Sequence, residues 1–199
     1  NLTGKHLLSQ IFRLEKTPTV PGDPVLVLQD IHVHDQKGLK ALNGINLSIR
    51  RGEILGIAGV AGNGQDELAE VITGLLKPSK GKITLRGEDV TKHSPLDMIK
   101  SGVSFVPADR IGMGTVGNMA VAENLAMKGY RDEPISDKGV LQPNKLLSFA
   151  KKLIESFKII TPNPYTHIKF LSGGNIQKAI LAREIDCCSH LMIAMYPSR

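Results

Sequence analysis

Residues 53–58 form a short apolar run that passes without interruption into Gly59-Val60-Ala61-Gly62-Asn63-Gly64-Gln65-Asp66. Directly behind it, Leu68, Val71, Ile72, Leu75 and Leu76 recur at helical spacing as far as Pro78, which predicts a helix over 66–76. A strand, a glycine-rich turn and a helix in immediate succession open a βα unit, so this one stretch directs the chain toward a layered α/β fold. Its glycines fit G-x-x-x-x-G, a spacing that lets backbone N–H groups turn inward around phosphate oxygens at the positive end of a helix. The next two positions depart from that chemistry. Gln65 stands where a lysine would neutralise the outer phosphates, and Asp66 where a serine or threonine hydroxyl would hold magnesium. Taken alone, the motif also fits a strand-to-helix turn that binds no ligand.

The rest of the chain continues the alternation. Short β-rich runs at 25–28, 45–49, 82–85 and 103–106 read as strands. Segments 96–100, 120–127 and about 173–185 read as helices. So does the stretch opened by Pro143, where Leu146, Phe149, Ala150, Leu153, Ile154 and Phe157 share one face. Residues 111–118 are glycine-rich and irregular, and 191–195 is a last apolar run. At the other end, Leu7, Leu8, Ile11 and Phe12 give a brief helical pattern before a proline-dense stretch up to Pro24. That stretch reads as a linker from something upstream. A strand so near the last residue has no following element to cover it, so the chain reads as a piece of a longer protein.

Composition limits the class. At 199 residues with 41% hydrophobic and 22% charged residues, the chain can bury a globular core and is neither disordered nor collagen-like. Its longest run without a polar residue, 54–62, covers nine positions, about half of a membrane span. No basic, apolar leader opens the chain, and the only cysteines are the neighbours Cys187 and Cys188. They form no disulfide framework and read as small packing residues at a helix end, so the cytoplasm is the expected compartment. The formal charge of +6 is scattered, with only Arg50-Arg51 and Lys151-Lys152 adjacent. With three Tyr, five Phe and no Trp there are few stacking platforms, so the basic residues read as a solvated surface rather than a nucleic-acid groove.

A second motif, Leu171-Ser172-Gly173-Gly174-Asn175-Ile176-Gln177-Lys178, places a serine and two glycines at the start of a helix. By itself Ser172 would read as an N-cap. Together the two motifs resemble the nucleotide-binding domain of ATP-binding cassette (ABC) transporters, over residues 25–199. The resemblance implies a RecA-like P-loop NTPase core, α/β, built from residues 25–106 and 186 onward, with an inserted helical subdomain at about 107–185 and a C-terminal truncation. It implies that Gly59, Gly62, Asn63, Gly64, Gln65 and Asp66 face the chain's own nucleotide. The signature residues Leu171, Ser172, Gly173, Gly174 and Gln177 would instead cap the γ-phosphate of ATP held by a facing domain, a role suited to a helix dipole and exposed amides.

Other family landmarks are altered. Met195 holds the position of the Walker B aspartate and Tyr196 that of the catalytic glutamate, with Pro197 in register. The Q-loop position reads Pro107-Ala108-Asp109-Arg110, with Ala108 in place of the glutamine. Near the place of the adenine-stacking aromatic stands His34, which reads as a surface histidine. These departures resemble the second ABC domain of importers for simple sugars or nucleosides, the nucleoside branch being closer. The implied ligands are ATP and Mg2+, the latter weak or absent at this chain's own site. The implied partners are an upstream ABC domain of the same polypeptide, membrane permease subunits touched by residues 109–124 and, indirectly, an extracytoplasmic solute-binding protein. No nucleic acid is expected, and the location is peripheral, on the cytoplasmic face of the cell membrane. Hydrolysis is expected of the assembled ATPase and not of this chain alone. A non-transport ABC ATPase of repair or translation, and a regulatory domain that binds no nucleotide, are the alternatives.

Overall fold

The computed structural model describes residues 22–34, 38–60, 62–187 and 190–196. The expected helical pattern near Leu7, most of the linker, and Ala61, Cys188 and Pro197 lie outside the described residues.

A four-stranded antiparallel sheet in the order β2-β1-β3-β4 is made by β1 (Pro24–His34), β2 (Lys40–Arg50), β3 (Lys80–Leu85) and β4 (Glu88–Asp89). β1 is longer than the run at 25–28, and the reason is a bulge. Leu26 and Leu28 point into the core on one phase of the alternation, Ile31 and Val33 on the other. Between them Asp30 takes φ 49°, and the pairing with β2 shifts register between Leu28 and Ile31. One extra residue turns the strand back onto its core face, which simple period-two counting misses.

Helix α1 (Gln65–Ile72) starts at the glycine loop and is shorter than the predicted 66–76. The Thr73 hydroxyl donates to Ala69 O at 2.8 Å, and Gly74 follows at φ 76°, so the chain leaves the helix before Leu75. A Cβ on Gly74 would lie 2.9 Å from His93 O, which keeps that turn glycine. The next elements are α2 (Pro95–Lys100), β5 (Val103–Val106), α3 (Val121–Ala126), β6 (Ser136–Asp137), β7 (Val140–Leu141), α4 (Pro143–Ser156), α5 (Gly173–Cys187) and β8 (Leu191–Ala194). Strands β5 and β8 pair in parallel, Val103 opposite Leu191 and Val106 opposite Ala194. The hairpin β6–β7 turns on Lys138 and Gly139, both at positive φ, the requirement of a tight two-residue loop.

The predicted strand at 53–58 is not formed. Residues 53–60 have no regular structure, with Ile54 81% and Ile57 52% exposed. An apolar run of this kind suits a strand buried on both faces between parallel neighbours. Among the described residues, β5 and β8 pair only with each other and no strand lies against 53–58.

Two hydrophobic cores result. One gathers Leu26, Leu28, Ile31, Ile83, Val71 and Met98 under the antiparallel sheet. The other packs Val121, Leu125, Leu153, Ile168 and Ile180 between α3, α4 and α5. β5 joins them, with Val103 in the first core and Val106 in the second.

Helix α2 is too short to hold itself together by propagation and depends on its start. The Ser94 hydroxyl accepts from Asp97 N, and Asp97 Oδ2 accepts from Ser94 N at 2.9 Å. The Ser94 hydroxyl also donates to that carboxylate, and this bond holds the Asp97 carboxyl below its usual range. We expect Ser94→Ala to lower stability by about 1 kcal/mol at neutral pH, read as a shift of the urea midpoint at unchanged slope. Because the native pKa of Asp97 is lowered, its contribution is present above the unfolded pKa and lost as pH falls through the folded one. The difference between wild type and variant should therefore narrow in acid.

Candidate functional site

The glycine loop is shaped by backbone demands. Gly62 and Gly64 sit at φ 86° and 91°, a region closed to most side chains. Gly64 is also pressed against β2. A Cβ there would stand 2.6 Å from Ala41 O and 2.9 Å from Leu42 Cδ2. Gly64 caps α1 with no side-chain hydrogen bond, and its carbonyl accepts from Leu68 N at 2.9 Å. Gln65 folds back across the loop. Its Oε1 accepts from Asn63 N at 3.2 Å, its Nε2 donates to Val60 O at 3.1 Å, and the same nitrogen occupies the space a Cβ on Gly59 would need. Asp66 and Glu67 form the first turn of α1. Their charges complement the helix dipole. Burial, followed by repulsion from Glu67 and Asp66, raises the Glu70 carboxyl above its usual range.

The signature motif also stands at a helix N-terminus, but one that is open and held from behind. Leu171 is buried in the second core, while Ser172, Gly173 and Gly174 are exposed. No atom lies within 4 Å of the Cβ position of either glycine. Ser172 O accepts from Asn175 N and Ile176 N, both at 2.9 Å, and the Ser172 hydroxyl accepts from Asn175 Nδ2 at 3.0 Å. Asn175 Oδ1 accepts in turn from Ile160 N at 2.9 Å, and Lys178 Nζ donates to Lys158 O at 2.9 Å. Gln177 is half-buried on the same helix.

Parallel pairing carries the other two predicted positions to one edge. Met195 N donates to Val106 O at 2.9 Å, which sets Met195 at the point where the chain leaves β5 for Pro107-Ala108-Asp109-Arg110, at the carboxyl ends of β8 and β5. Asp109 organises that turn by accepting from Ile111 N at 3.0 Å and Gly112 N at 2.9 Å. Ala108 is exposed and Arg110 half-buried. Gly64 instead approaches β2, and Gly59, Val60 and Asn63 are met by Gln65. His34 lies exposed at the end of β1, 3.5 Å from the Ser79 hydroxyl. Cys187 is half-buried, and burial together with Asp186 and Glu184 pushes its thiol upward, away from reactive thiolate character.

Sequence patterning missed a buried charge cluster behind these segments. Arg183 and Glu184 are almost wholly buried on α5. Arg183 Nε donates to Glu184 Oε1 at 2.9 Å, and Lys128 donates to Glu184 Oε2. Two adjacent charges in a helix carry no local sign that they are internal.

A family model described as ABC transporter matches residues 42–194. The chain belongs to the ABC transporter family. It is 42% identical over 188 residues to the guanosine import ATP-binding protein NupO of Bacillus subtilis, covering 94% of this chain and 37% of that one. It is 42% identical over 200 residues to the glucose import ATP-binding protein TsgD13 of Haloferax volcanii, covering 100% and 36%. The nucleoside import ATP-binding protein NupA of Lactococcus lactis matches at 42% over 188 residues, covering 94% and 37%. The chain thus spans little more than a third of the length of these curated relatives. A nucleotide-free ATP-binding cassette from an ABC transporter superposes with TM-score 0.69 at 22% identity, over 89% of this chain and 70% of that one. The fold of this ABC family member is therefore the RecA-like P-loop cassette. None of its described helices is long and apolar enough to cross a membrane.

Proposed function

We propose that this chain is the second ATP-binding domain of an importer for simple sugars or nucleosides, peripheral to the cytoplasmic membrane face. It supplies its signature to a facing ATP site while its own site is degenerate. The observation that carries this is the exposed Ser172-Gly173-Gly174 terminus, a helix start of the kind whose amides receive phosphate, with open space at both glycine Cβ positions. The guanosine, glucose and nucleoside import proteins among its relatives support the substrate class. Their greater length agrees with an upstream ABC domain in the same polypeptide, residues 1–24 being the linker and 107–185 the helical subdomain. In this assembly residues 109–124 meet the permease, and a solute-binding protein acts on the far side.

The chain's own loop supports the degenerate half of the proposal. Magnesium favours hard oxygen donors, whereas the residue that follows β8 at the Walker B position is the thioether Met195. Asp66 is the carboxylate left at the loop, the Walker B position lacks one, and Gln65 brings an amide where a cation would face phosphate. In this reading the chain contributes a glycine loop without its usual lysine and a signature for another site. Tyr196 offers no base to orient an attacking water.

We expect this chain alone to release no phosphate from Mg-ATP above a heat-killed control. Turnover clearly above that control would refute the degenerate site, and recovery of no permease subunits with the full-length protein would refute the importer. The span of Gln65 across the loop also favours a second reading, a regulatory domain that binds no nucleotide. Titration with a non-hydrolysable ATP analogue separates the two, since only the first gives saturable binding.

A further inference from the structure

Helix α5 carries Ser172 at its entrance and buries Ile176, Ala179, Ile180, Ala182, Arg183 and Glu184 along its length. The last two are charges on an otherwise apolar face, and Glu184 is 0% exposed. Apart from the bond between them, the pair's hydrogen bonds reach residues outside α5. Glu184 Oε2 accepts from Phe105 N of β5 at 3.0 Å and from Lys128 just beyond α3, while its main-chain carbonyl accepts from the Ser104 hydroxyl at 2.8 Å. Arg183 Nη2 donates to Gly114 O at 3.0 Å and Nη1 to Asn124 O at 3.3 Å. Gly114 has no room for a side chain, since a Cβ would meet Ile180 Cδ1 at 2.7 Å.

A buried ion cluster of this kind is weak evidence for stability, because apolar packing of the same volume often does as well. What it adds is direction. Each carboxylate oxygen of Glu184 has a set donor, and the Phe105 N–H would be an orphaned backbone donor without it. Two residues past Phe105 the chain enters Pro107-Ala108-Asp109-Arg110, and Gly114 and Asn124 lie in the segment proposed to meet the permease. We propose that Glu184, held by Arg183, is the positioning residue of the signature, fixing α5 to β5 and to the 110–124 segment. This rests on the reading of Ser172-Gly173-Gly174 as acting on a facing ATP. The helix between Gly173 and Glu184 is about 16 Å long, so a tilt of a few degrees at Glu184 carries Ser172 by about 1 Å. Misplacement of that size at a reacting phosphate costs turnover far more than it costs ATP binding, which the facing domain's own loop supplies.

The test is steady-state ATP hydrolysis by the full-length protein with its permease, reported per folded protein. Glu184→Gln presents an N–H2 where one of two donors must be accepted, so kcat should fall about tenfold with KM for ATP within about twofold. Arg183→Lys keeps the charge, loses the fork, and should give the same split if Glu184→Gln does not fold. Lys128→Met leaves the Phe105 and Arg183 contacts in place and should retain most of kcat. Wild-type kcat in Glu184→Gln or Arg183→Lys would overturn the proposal. So would KM rising in step with the fall in kcat, or an equal loss in Lys128→Met. Ser172→Ala is run beside them. If it alone lowers kcat, only the positioning role fails, and if it has no effect, the signature reading fails as well and Glu184 has nothing to position.

Discussion

In the full-length transporter, Ser172→Ala is expected to lower ATP turnover by about a hundredfold, the usual cost of removing one donor aimed at developing charge, while Gln65→Ala changes it only slightly. The two residues are both polar and both stand at helix entrances. Their difference lies in which phosphate they face. Ser172 is exposed at the start of α5 beside two open glycines, and in the proposed reading it acts on the competent site. Gln65 bonds to Asn63 N and Val60 O of its own loop, in the site proposed to be degenerate. Gly173→Asp should be at least as damaging as Ser172→Ala, because it sets a carboxylate against the γ-phosphate. With no atom within 4 Å of its Cβ position, the new side chain meets no steric obstacle, so loss of activity should come with little change in thermal midpoint. Phosphate release by variants of matched stability decides the matter. Equal losses for Ser172→Ala and Gln65→Ala would contradict the assignment of the two motifs to different sites.

Much of this arrangement was legible in the residues because the informative signals are local. Proline at the first turn marked α4 and the serine-glycine-glycine step marked α5, and the structure has helices at Pro143–Ser156 and Gly173–Cys187. Signals failed where the deciding contact is distant. Whether 53–58 is a strand depends on neighbours that its own side chains do not name, and Ile54 and Ile57 stand exposed. The end of α1 was set by Gly74 packing against His93 O, nineteen positions on, and not by Pro78. The bulge at Asp30 reset the alternation that would have revealed Ile31 and Val33 as core. Within the candidate site, the residues proposed as departures, Gln65, Met195 and Tyr196, were reached by counting along the sequence. The span of Gln65 across the loop and the partners of Glu184 could not be, since hydrogen-bond geometry leaves no period in the chain.

Replacing Gln65 by lysine tests whether the missing cation is what weakens the loop. We expect Gln65→Lys to tighten ATP binding by the chain alone through a charge-assisted contact to phosphate, worth about 1.5–3 kcal/mol, or roughly 10- to 150-fold. The structure adds a second contribution. Gln65 Oε1 now accepts from Asn63 N. A lysine has no acceptor, so that amide is released to the ligand, while the ammonium can take over the donation to Val60 O made by Gln65 Nε2. Opposing both, Asp66 and Glu67 remain in the first turn of α1 and repel a polyphosphate, which places the gain toward the lower end of the range. Catalysis should not follow. Hydrolysis also needs an organised cation and an oriented water, and the substitution leaves Asp66, Met195 and Tyr196 unchanged with no facing signature present. Calorimetry for affinity and phosphate release for turnover should be run on one preparation. No gain in affinity would show that the lysine position is not what limits binding, and steady phosphate release would show that Met195 and Tyr196 do not stand in the places of the missing carboxylates.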